Sequence, residues 1–257
     1  MSKKPELLLQ NLPRKYQNIK LTTPKDGSSG RVFFAGDGVL KIFDEVEYQQ
    51  ELKLNQKLIN ANLRVPRVLE SFPLGKSWGV IFERVQGKSS KGIQELEKIC
   101  DFVDTLHSKN FKVERDIFAR NSLENLIKTH NVNPLKNIIG ELECNPKALH
   151  LIHGDLFPDN AKFLNGELQG VFDWEFASMG DRRFEYAIIA ISWCKSEKNL
   201  FEREALELVL ERVGGDFSDF LEYIKYALAF YATIRFIDNR NYQELLNFYF
   251  KLKEFEW

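Results

Sequence analysis

The sequence changes character near residue 87, and this change constrains the fold more than any other feature. Before it, short runs rich in β-branched and aromatic residues are broken by Gly and Asp, a pattern that predicts strands. One segment there, 45–61, has the apolar spacing of a helix. After it, helical spacing dominates, interrupted by a short apolar strand at 149–153 and a hairpin that turns at Asn165-Gly166. The predicted strands of the first part are 19–22, 31–35, 39–43, 68–72 and 77–84.

This pattern predicts an α+β protein with a small β-rich N-terminal lobe, 1–86, and a larger, mainly helical C-terminal lobe, 87–257. The segment around Gly87 is polar and is predicted to be a hinge. The formal net charge of −1 argues against a nucleic-acid partner, because such binding needs clustered basic residues. The longest apolar stretch, 187–194, is too short to span a bilayer. Three scattered cysteines favour a reducing compartment. We therefore expect a cytoplasmic protein with no membrane partner, and its oligomeric state stays open.

The strongest chemical signal is a segment with the pattern H-x-D-x4-N, in which His153, Asp155 and Asn160 follow an apolar strand. Asp173 comes after the next hairpin. Phosphoryl transfer needs one carboxylate to accept a hydroxyl proton, and an amide oxygen and a second carboxylate to hold Mg²⁺. This spacing predicts these roles for Asp155, Asn160 and Asp173.

The N-terminal part carries a matching set of polar groups. Lys41 lies inside an apolar strand, and Glu51 lies on the following helix, with Glu47 one turn earlier as the alternative partner. A strand Lys that binds phosphates and is held by a helix Glu is the arrangement of kinases. A Gly/Ser turn precedes the strand, and its Ser28 and Ser29 could donate to phosphate oxygens. It is not a Walker A loop, because no G-K-[ST] follows.

Together these motifs resemble the aminoglycoside phosphotransferase/choline kinase superfamily of small-molecule kinases. The resemblance implies a two-lobed protein-kinase-like fold and the cofactors ATP and Mg²⁺. It implies that Asp155 is the catalytic base, that Asn160 and Asp173 are the metal ligands, and that main-chain groups of Glu83 to Val85 bind adenine. The segments that carry it, in chain order, are 39–42, Glu51, 65–66, 82–87, 106–107, 153–160, 172–175, 180–181 and 185–187.

Two departures from kinase patterns matter. Asp173 is followed by Trp174-Glu175 instead of D-F-G, and Gly180-Asp181 comes almost at once, so an activation segment has no room. This predicts a small-molecule hydroxyl acceptor, not a protein. Glu185 stands where the superfamily usually has Asp.

The acceptor is left open between several hydroxyl compounds. Segments around 157–160, 172–177 and 187–194 are similar to bacterial homoserine kinases, although Gly154 replaces the usual Ala. Arg235 and Arg240 could bind a carboxylate, and Trp174, Glu175 and Arg235 are the candidate acceptor-binding residues. Choline is the other best guess, because aromatic faces bind quaternary ammonium groups. The alternatives are an aminoglycoside or sugar kinase and a non-catalytic nucleotide-binding module. The aromatic candidates for a choline site are Trp174, Trp193, Tyr226, Tyr231 and Tyr242.

Overall fold

The computed structural model describes residues 12–24, 31–197 and 200–254. The chain forms two compact units. Unit 1 comprises Met1–Lys88, Lys162–Leu164 and Leu168–Phe172, and unit 2 comprises Ser89–Ala161, Asn165–Glu167 and Asp173–Trp257. The predicted α+β class is confirmed. The predicted lobes 1–86 and 87–257 were contiguous, whereas unit 1 also includes two strand segments from beyond residue 160.

Unit 1 is built on a five-stranded antiparallel sheet with the strand order β1-β2-β3-β5-β4. Because side chains alternate between the two faces of a strand, the sheet carries two apolar clusters. One contains Phe33, Leu40 and Ile81, and the other contains Phe43 and Val80. The strands are β1 Leu21–Thr22, β2 Val32–Ala35, β3 Gly38–Phe43, β4 Val68–Leu74 and β5 Ser77–Glu83.

The helix of unit 1, α1 Glu45–Asn60, begins with a capping box. The Asp44 carboxylate accepts the backbone N–H of Glu47, and the Glu47 carboxylate accepts the backbone N–H of Asp44. This satisfies two backbone donors that the first turn of a helix leaves unpaired. The helix packs Tyr48 and Leu52 against the Phe43 cluster of the sheet.

The predicted hairpin is confirmed, with strands β7 Ala161–Leu164 and β8 Glu167–Val171. Asn165 and Gly166 both have positive φ, as a two-residue turn of this kind requires. Most of the hairpin belongs to unit 1, because backbone bonds connect it there. Phe163 and Lys88 exchange N–H···O bonds of 2.9 Å, and the Val171 N–H donates to the Arg64 carbonyl at 2.8 Å.

Unit 2 consists of seven described helices and a two-stranded antiparallel sheet of β6 His150–Ile152 and β9 Ser178–Gly180. Its core is aromatic: the Phe118 ring lies 4.9 Å from Phe184 and 4.8 Å from Phe230. None of the described helices has the length and apolar character needed to cross a membrane. The helices are α2 Ile93–His107, α3 Arg120–Thr129, α4 Lys136–Glu141, α5 Arg182–Trp193, α6 Arg203–Val213, α7 Phe217–Ile237 and α8 Gln243–Leu252.

Candidate active site

The candidate site of unit 2 lies on the loop that connects β6 to the hairpin. Leu151 and Ile152 are fully buried in β6 and anchor the start of this loop. The single 3-10 turn Pro158–Asn160 ends it. Asp155 lies between these two fixed points and is partly exposed. We call residues 153–160 the HGD loop.

Gly154 adopts a backbone conformation in the HGD loop that would be strained for other residue types. Its φ is +76°, and a Cβ at this position would lie 2.5 Å from the Phe118 ring and 2.7 Å from the Phe176 carbonyl oxygen. L-residues rarely adopt this φ, and the ring and the carbonyl leave no space for a methyl group. Glycine is therefore the residue type that this backbone and these neighbours allow at position 154.

His153 is a structural residue of the loop in this conformation. Its ring is fully buried and packs against Trp174 with a centroid distance of 4.5 Å. The backbone N–H of Asp155 donates to His153 Nδ1 at 3.2 Å. These contacts orient the loop.

Glu185 supports the loop from helix α5. Its Oε2 accepts the Gly154 N–H at 3.2 Å, and the side chain is fully buried. Burial raises the pKa of this carboxyl to about 7, although backbone hydrogen bonds from Gly154 and His153 oppose the shift. The longer Glu side chain therefore still reaches the loop from the position where the resembled superfamily has Asp.

Asn160 fixes the catalytic candidate Asp155 directly. Its Nδ2 donates to the Asp155 carbonyl at 2.7 Å and to Oδ2 of the same residue at 2.9 Å. Burial raises the pKa of Asp155 to about 8, and the negative charges of Asp173 and Asp159 add to this shift. The Asn160 hydrogen bond and the positive charge of Arg240 oppose it. The structure thus brings the predicted residues Asp155, Asn160 and Asp173 into one electrostatic group.

The donor set of this group suits Mg²⁺. Its members offer carboxylate and amide oxygens, the hard ligands that Mg²⁺ takes from proteins. Repulsion between Asp155 and Asp173 is the kind of unfavourable charge that a bound cation relieves. Asp173 follows β8 with φ 68° and ψ 62°, and such a left-handed conformation of a non-glycine residue is typical of functional sites.

The candidate acceptor residues differ widely in position. Trp174 is buried between His153 and Phe102. The Glu175 side chain is exposed, and its carbonyl accepts a bond from Arg115. Arg235 lies in the last turn of α7, and its Nη1 donates to the Asn241 carbonyl at 3.3 Å.

Arg240 is the arginine whose charge acts on Asp155. Its guanidinium also pairs with Asp238 at 2.9 Å. The charge of Arg235, by contrast, acts on Glu244. The sequence signal for Arg240 was the late arginine pair, and that pattern did not distinguish its two members.

In unit 1, Lys41 lies on the face of β3 that α1 covers, as Phe43 does. The Lys41 ammonium lies 5.5 Å from the Phe43 ring centroid. Glu51 precedes Leu52, which packs on this face. Glu47 is occupied elsewhere, because it completes the helix cap and accepts from Arg31 Nη1 at 3.0 Å. Ser28 and Ser29 lie outside the described residues.

The predicted adenine-binding segment begins where β5 ends, at Glu83. The N–H of Glu83 donates to the Arg67 carbonyl at 2.8 Å, and the N–H of Arg84 donates to the Asp37 carbonyl at 3.2 Å. Two backbone donors of this segment are therefore already bound to carbonyls of residues that border the sheet. Val85 packs against Gly170 of the hairpin.

Sequence reasoning missed two donors of unit 2 that reach the HGD loop. Trp193 Nε1 donates to the Leu156 carbonyl at 2.9 Å, and the Tyr231 hydroxyl donates to the Gly154 carbonyl. The sequence offered both residues only as possible aromatic walls of a choline site. Nothing in the sequence indicated which polar group the indole N–H and the hydroxyl would bind.

Comparisons of sequence and of structure relate this chain to known proteins. The family model described as "Phosphotransferase enzyme family" matches residues 20–215. A homoserine kinase of Methylocella silvestris is 48% identical over 44 residues, which cover 17% of this chain and 14% of that protein. The chain thus matches well under two thirds of the length of that curated relative.

Among solved structures, aminoglycoside-3'-phosphotransferase of type VIII superposes with a TM-score of 0.68 at 18% identity. The alignment covers 88% of this chain and all of the other. The choline kinase LicA from Streptococcus pneumoniae superposes with a TM-score of 0.60 at 15% identity, over 91% of this chain and 93% of the other. At these identities the two likenesses describe the fold.

Proposed function

Because this chain belongs to the phosphotransferase enzyme family, whose model matches residues 20–215, we propose that it is a kinase of a small-molecule alcohol. It would transfer the γ-phosphate of ATP to a hydroxyl group. The observation that carries this proposal is the group formed by Asp155, Asn160 and Asp173, in which an amide holds one carboxylate beside the charge of a second.

In this reaction Asp155 accepts the proton of the acceptor hydroxyl as that oxygen attacks the γ-phosphorus in line. Burial and the charge of Asp173 raise the pKa of Asp155, and a cation held by Asn160 and Asp173 would lower it again and favour the ionised form that accepts a proton. Asn160 holds the carboxylate in one orientation through its Nδ2. Much of the rate enhancement would come from positioning and from charge stabilisation.

We assign the nucleotide to residues predicted from the sequence. Lys41, with Glu51 as its partner, would bind phosphate oxygens, and Ser28 and Ser29 would donate to them. The carbonyl of Glu83 and the N–H of Val85 would bind the adenine edge. The Asn160 amide oxygen and the Asp173 carboxylate would hold Mg²⁺, which neutralises phosphate charge when bound.

Among acceptors, we favour a small amino alcohol that carries a carboxylate, the chemical class of homoserine. Arg240 supports this class, because its charge acts at Asp155 and a guanidinium binds carboxylates bidentately. Arg235 stays a second candidate for the same contact. The short match to homoserine kinases points in the same direction.

A choline acceptor has less support from the aromatic residues. A cation needs the open face of a ring, whereas Trp174, Trp193, Tyr226 and Tyr231 are all buried. Of the sequence candidates for such a wall, Tyr242 is partly exposed, and it packs edge-on against Phe236.

The test is ADP release from ATP–Mg²⁺ by the purified protein with homoserine, choline, ethanolamine, a simple sugar or an aminoglycoside. We expect homoserine to stimulate release, and we expect Asp155→Asn to lower this stimulation by about 10²–10⁴-fold while ATP still binds. Stimulation by another compound would replace the acceptor and keep the reaction. Binding of ATP without stimulation or hydrolysis would instead indicate a non-catalytic nucleotide-binding module.

A further inference from the structure

The backbone carbonyls of the two residues that flank Asp155, Gly154 and Leu156, are bound by buried aromatic donors. The Gly154 carbonyl, on the N-terminal side, accepts the Tyr231 hydroxyl of helix α7. The Leu156 carbonyl, on the C-terminal side, accepts Trp193 Nε1 of helix α5 at 2.9 Å. The two helices pack against each other, as the contact of Phe184 with Phe230 shows.

Both donors are held rigidly in the core. Tyr231 is 6% exposed, and its ring packs edge-on against Phe157 and Phe230 with centroid distances of 5.2 and 5.5 Å. Trp193 is 2% exposed. A buried carbonyl that loses its donor leaves a polar group unpaired, which is costly. The Tyr231 bond therefore restricts the peptide plane that precedes Asp155, and the Trp193 bond restricts the plane that follows Leu156. Together they limit the directions in which the Asp155 carboxylate can point.

We propose that Tyr231 and Trp193 are positioning residues for catalysis, and that they set the direction of Asp155 by fixing the carbonyls on either side of it. This inference rests on the proposed function, in which Asp155 is the base. Neither residue touches the reacting atoms. They act through the backbone of the loop that carries Asp155. Such an indirect effect can be large, because an error of about 1 Å in the position of a catalytic group costs about 100-fold in rate.

The test is Tyr231→Phe, which removes the hydroxyl and keeps the ring in its packing. We expect kcat to fall about 10-fold while KM for ATP changes less than about two-fold, because an aligned group affects the chemical step and not nucleotide binding. Tyr226→Phe is the matched control. It lies on the same helix, is equally buried, and loses a hydroxyl bond of 3.0 Å to a backbone carbonyl, that of Phe118.

A second variant series separates positioning from general stability. In an Asp155→Asn background, Tyr231→Phe should cause no further loss of residual turnover, because the group it positions is gone. Trp193→Phe should behave in the same way as Tyr231→Phe. An equal loss of kcat in Tyr226→Phe, or full additivity with Asp155→Asn, would overturn the proposal.

Amide hydrogen exchange of the segment 153–160 tests, without any acceptor, whether the bonds from Tyr231 and Trp193 hold the loop. We call these two bonds the tether. We expect faster exchange of this segment in Tyr231→Phe than in wild type, with wild-type exchange in Tyr226→Phe. Unchanged exchange in Tyr231→Phe overturns the inference. If exchange accelerates but wild-type protein shows no turnover with any acceptor, the tether stands, and the proposed function fails on its own.

Discussion

Lys41 and Asp155 are placed by opposite means. Lys41 lies in a regular strand, where it pairs with Val32 on β2 and Val80 on β5, so the register of the sheet determines the face it occupies. Asp155 lies in an irregular loop, where side chains from distant parts of the chain hold the backbone. The bonds to Gly154 come from Glu185 and Tyr231, 31 and 77 residues away.

This difference shows what each region can tolerate. A sheet distributes its order over many equivalent backbone bonds, so one side-chain change alters little of the geometry. The HGD loop depends on a few buried polar contacts, so the loss of one removes a larger share of its support. We expect conservative substitutions to be tolerated around Lys41 and to be damaging around Asp155.

The largest effect is expected at Asp155 itself. Asp155→Asn should lower turnover by about 10²–10⁴-fold, the range for loss of a general base. The free energy of unfolding should not fall, because the substitution removes a buried carboxyl that Asp173 repels. Steady-state kinetics and a denaturant titration measure both quantities. Retained turnover would mean that another group accepts the proton.

Gly154→Ala should test the rigidity of the loop backbone. We expect a loss of about 2–4 kcal/mol in the free energy of unfolding, because the left-handed φ and the contacts with Phe118 and Phe176 leave no room for a methyl group. Gly140→Ala is the control, since a Cβ there meets nothing within 4 Å and Ala favours the helix. Similar melting temperatures for the two variants would contradict the described loop.

Substitution of two acidic residues of unit 1, one at a time, decides which Glu supports Lys41. Glu51→Gln should lower kcat/KM for ATP about 10-fold, which corresponds to a loss of about 1.4 kcal/mol in transition-state stabilisation. Glu47→Ala should leave kinetics unchanged and lower stability by about 0.5 kcal/mol, because it removes one half of the capping box. The reverse pattern in kinetics would assign the partner role to Glu47.

Mild acid should produce the smallest effect and should act on unit 2, which contains all four histidines. Burial lowers the pKa of His107 to about 3, and the charges of His150 and Arg182 add to this shift. Between about pH 6.5 and about pH 3, the unfolded chain binds this proton and the native chain does not, so the contribution of His107 to stability falls with pH. We expect the contribution of His107 to fall by about 1–2 kcal/mol between pH 7 and pH 5, whereas the raised pKa values of Asp155 and Glu185 favour the native state over the same range.

The control for this prediction is a pair of histidine variants. As the pH falls from 7 to 5, the melting temperature of His107→Gln should rise relative to that of wild type, while His130→Gln, at an exposed position, should follow wild type. If both variants follow wild type, then His107 is not the group that titrates.

Local patterns predicted the parts of the protein whose geometry is local. Alternating strands located Lys41, Asn165-Gly166 located the hairpin, and the H-x-D-x4-N spacing located Asp155 with Asn160. The same patterns could not predict that most of the hairpin joins unit 1, because the bonds of Arg64 and Lys88 to it cross long stretches of sequence.

The support of the HGD loop was also beyond local patterns. Tyr231 and Trp193 have the spacing of core residues, and helical periodicity says which face is buried but not what a hydroxyl or an indole N–H will bind. The position of Glu185 was visible only as a departure from the superfamily. Its full burial and its bond to Gly154 depend on how α5 packs against the loop.

The contact between Tyr231 and Gly154 also has a consequence for synthesis on the ribosome. The loop is translated 77 residues before its hydroxyl donor, and contacts of long sequence separation are costly to form in chain entropy. The nascent chain can therefore complete its early sheet well before the loop takes its final shape. Competence for catalysis would be acquired late, when α7 has left the exit tunnel and folded.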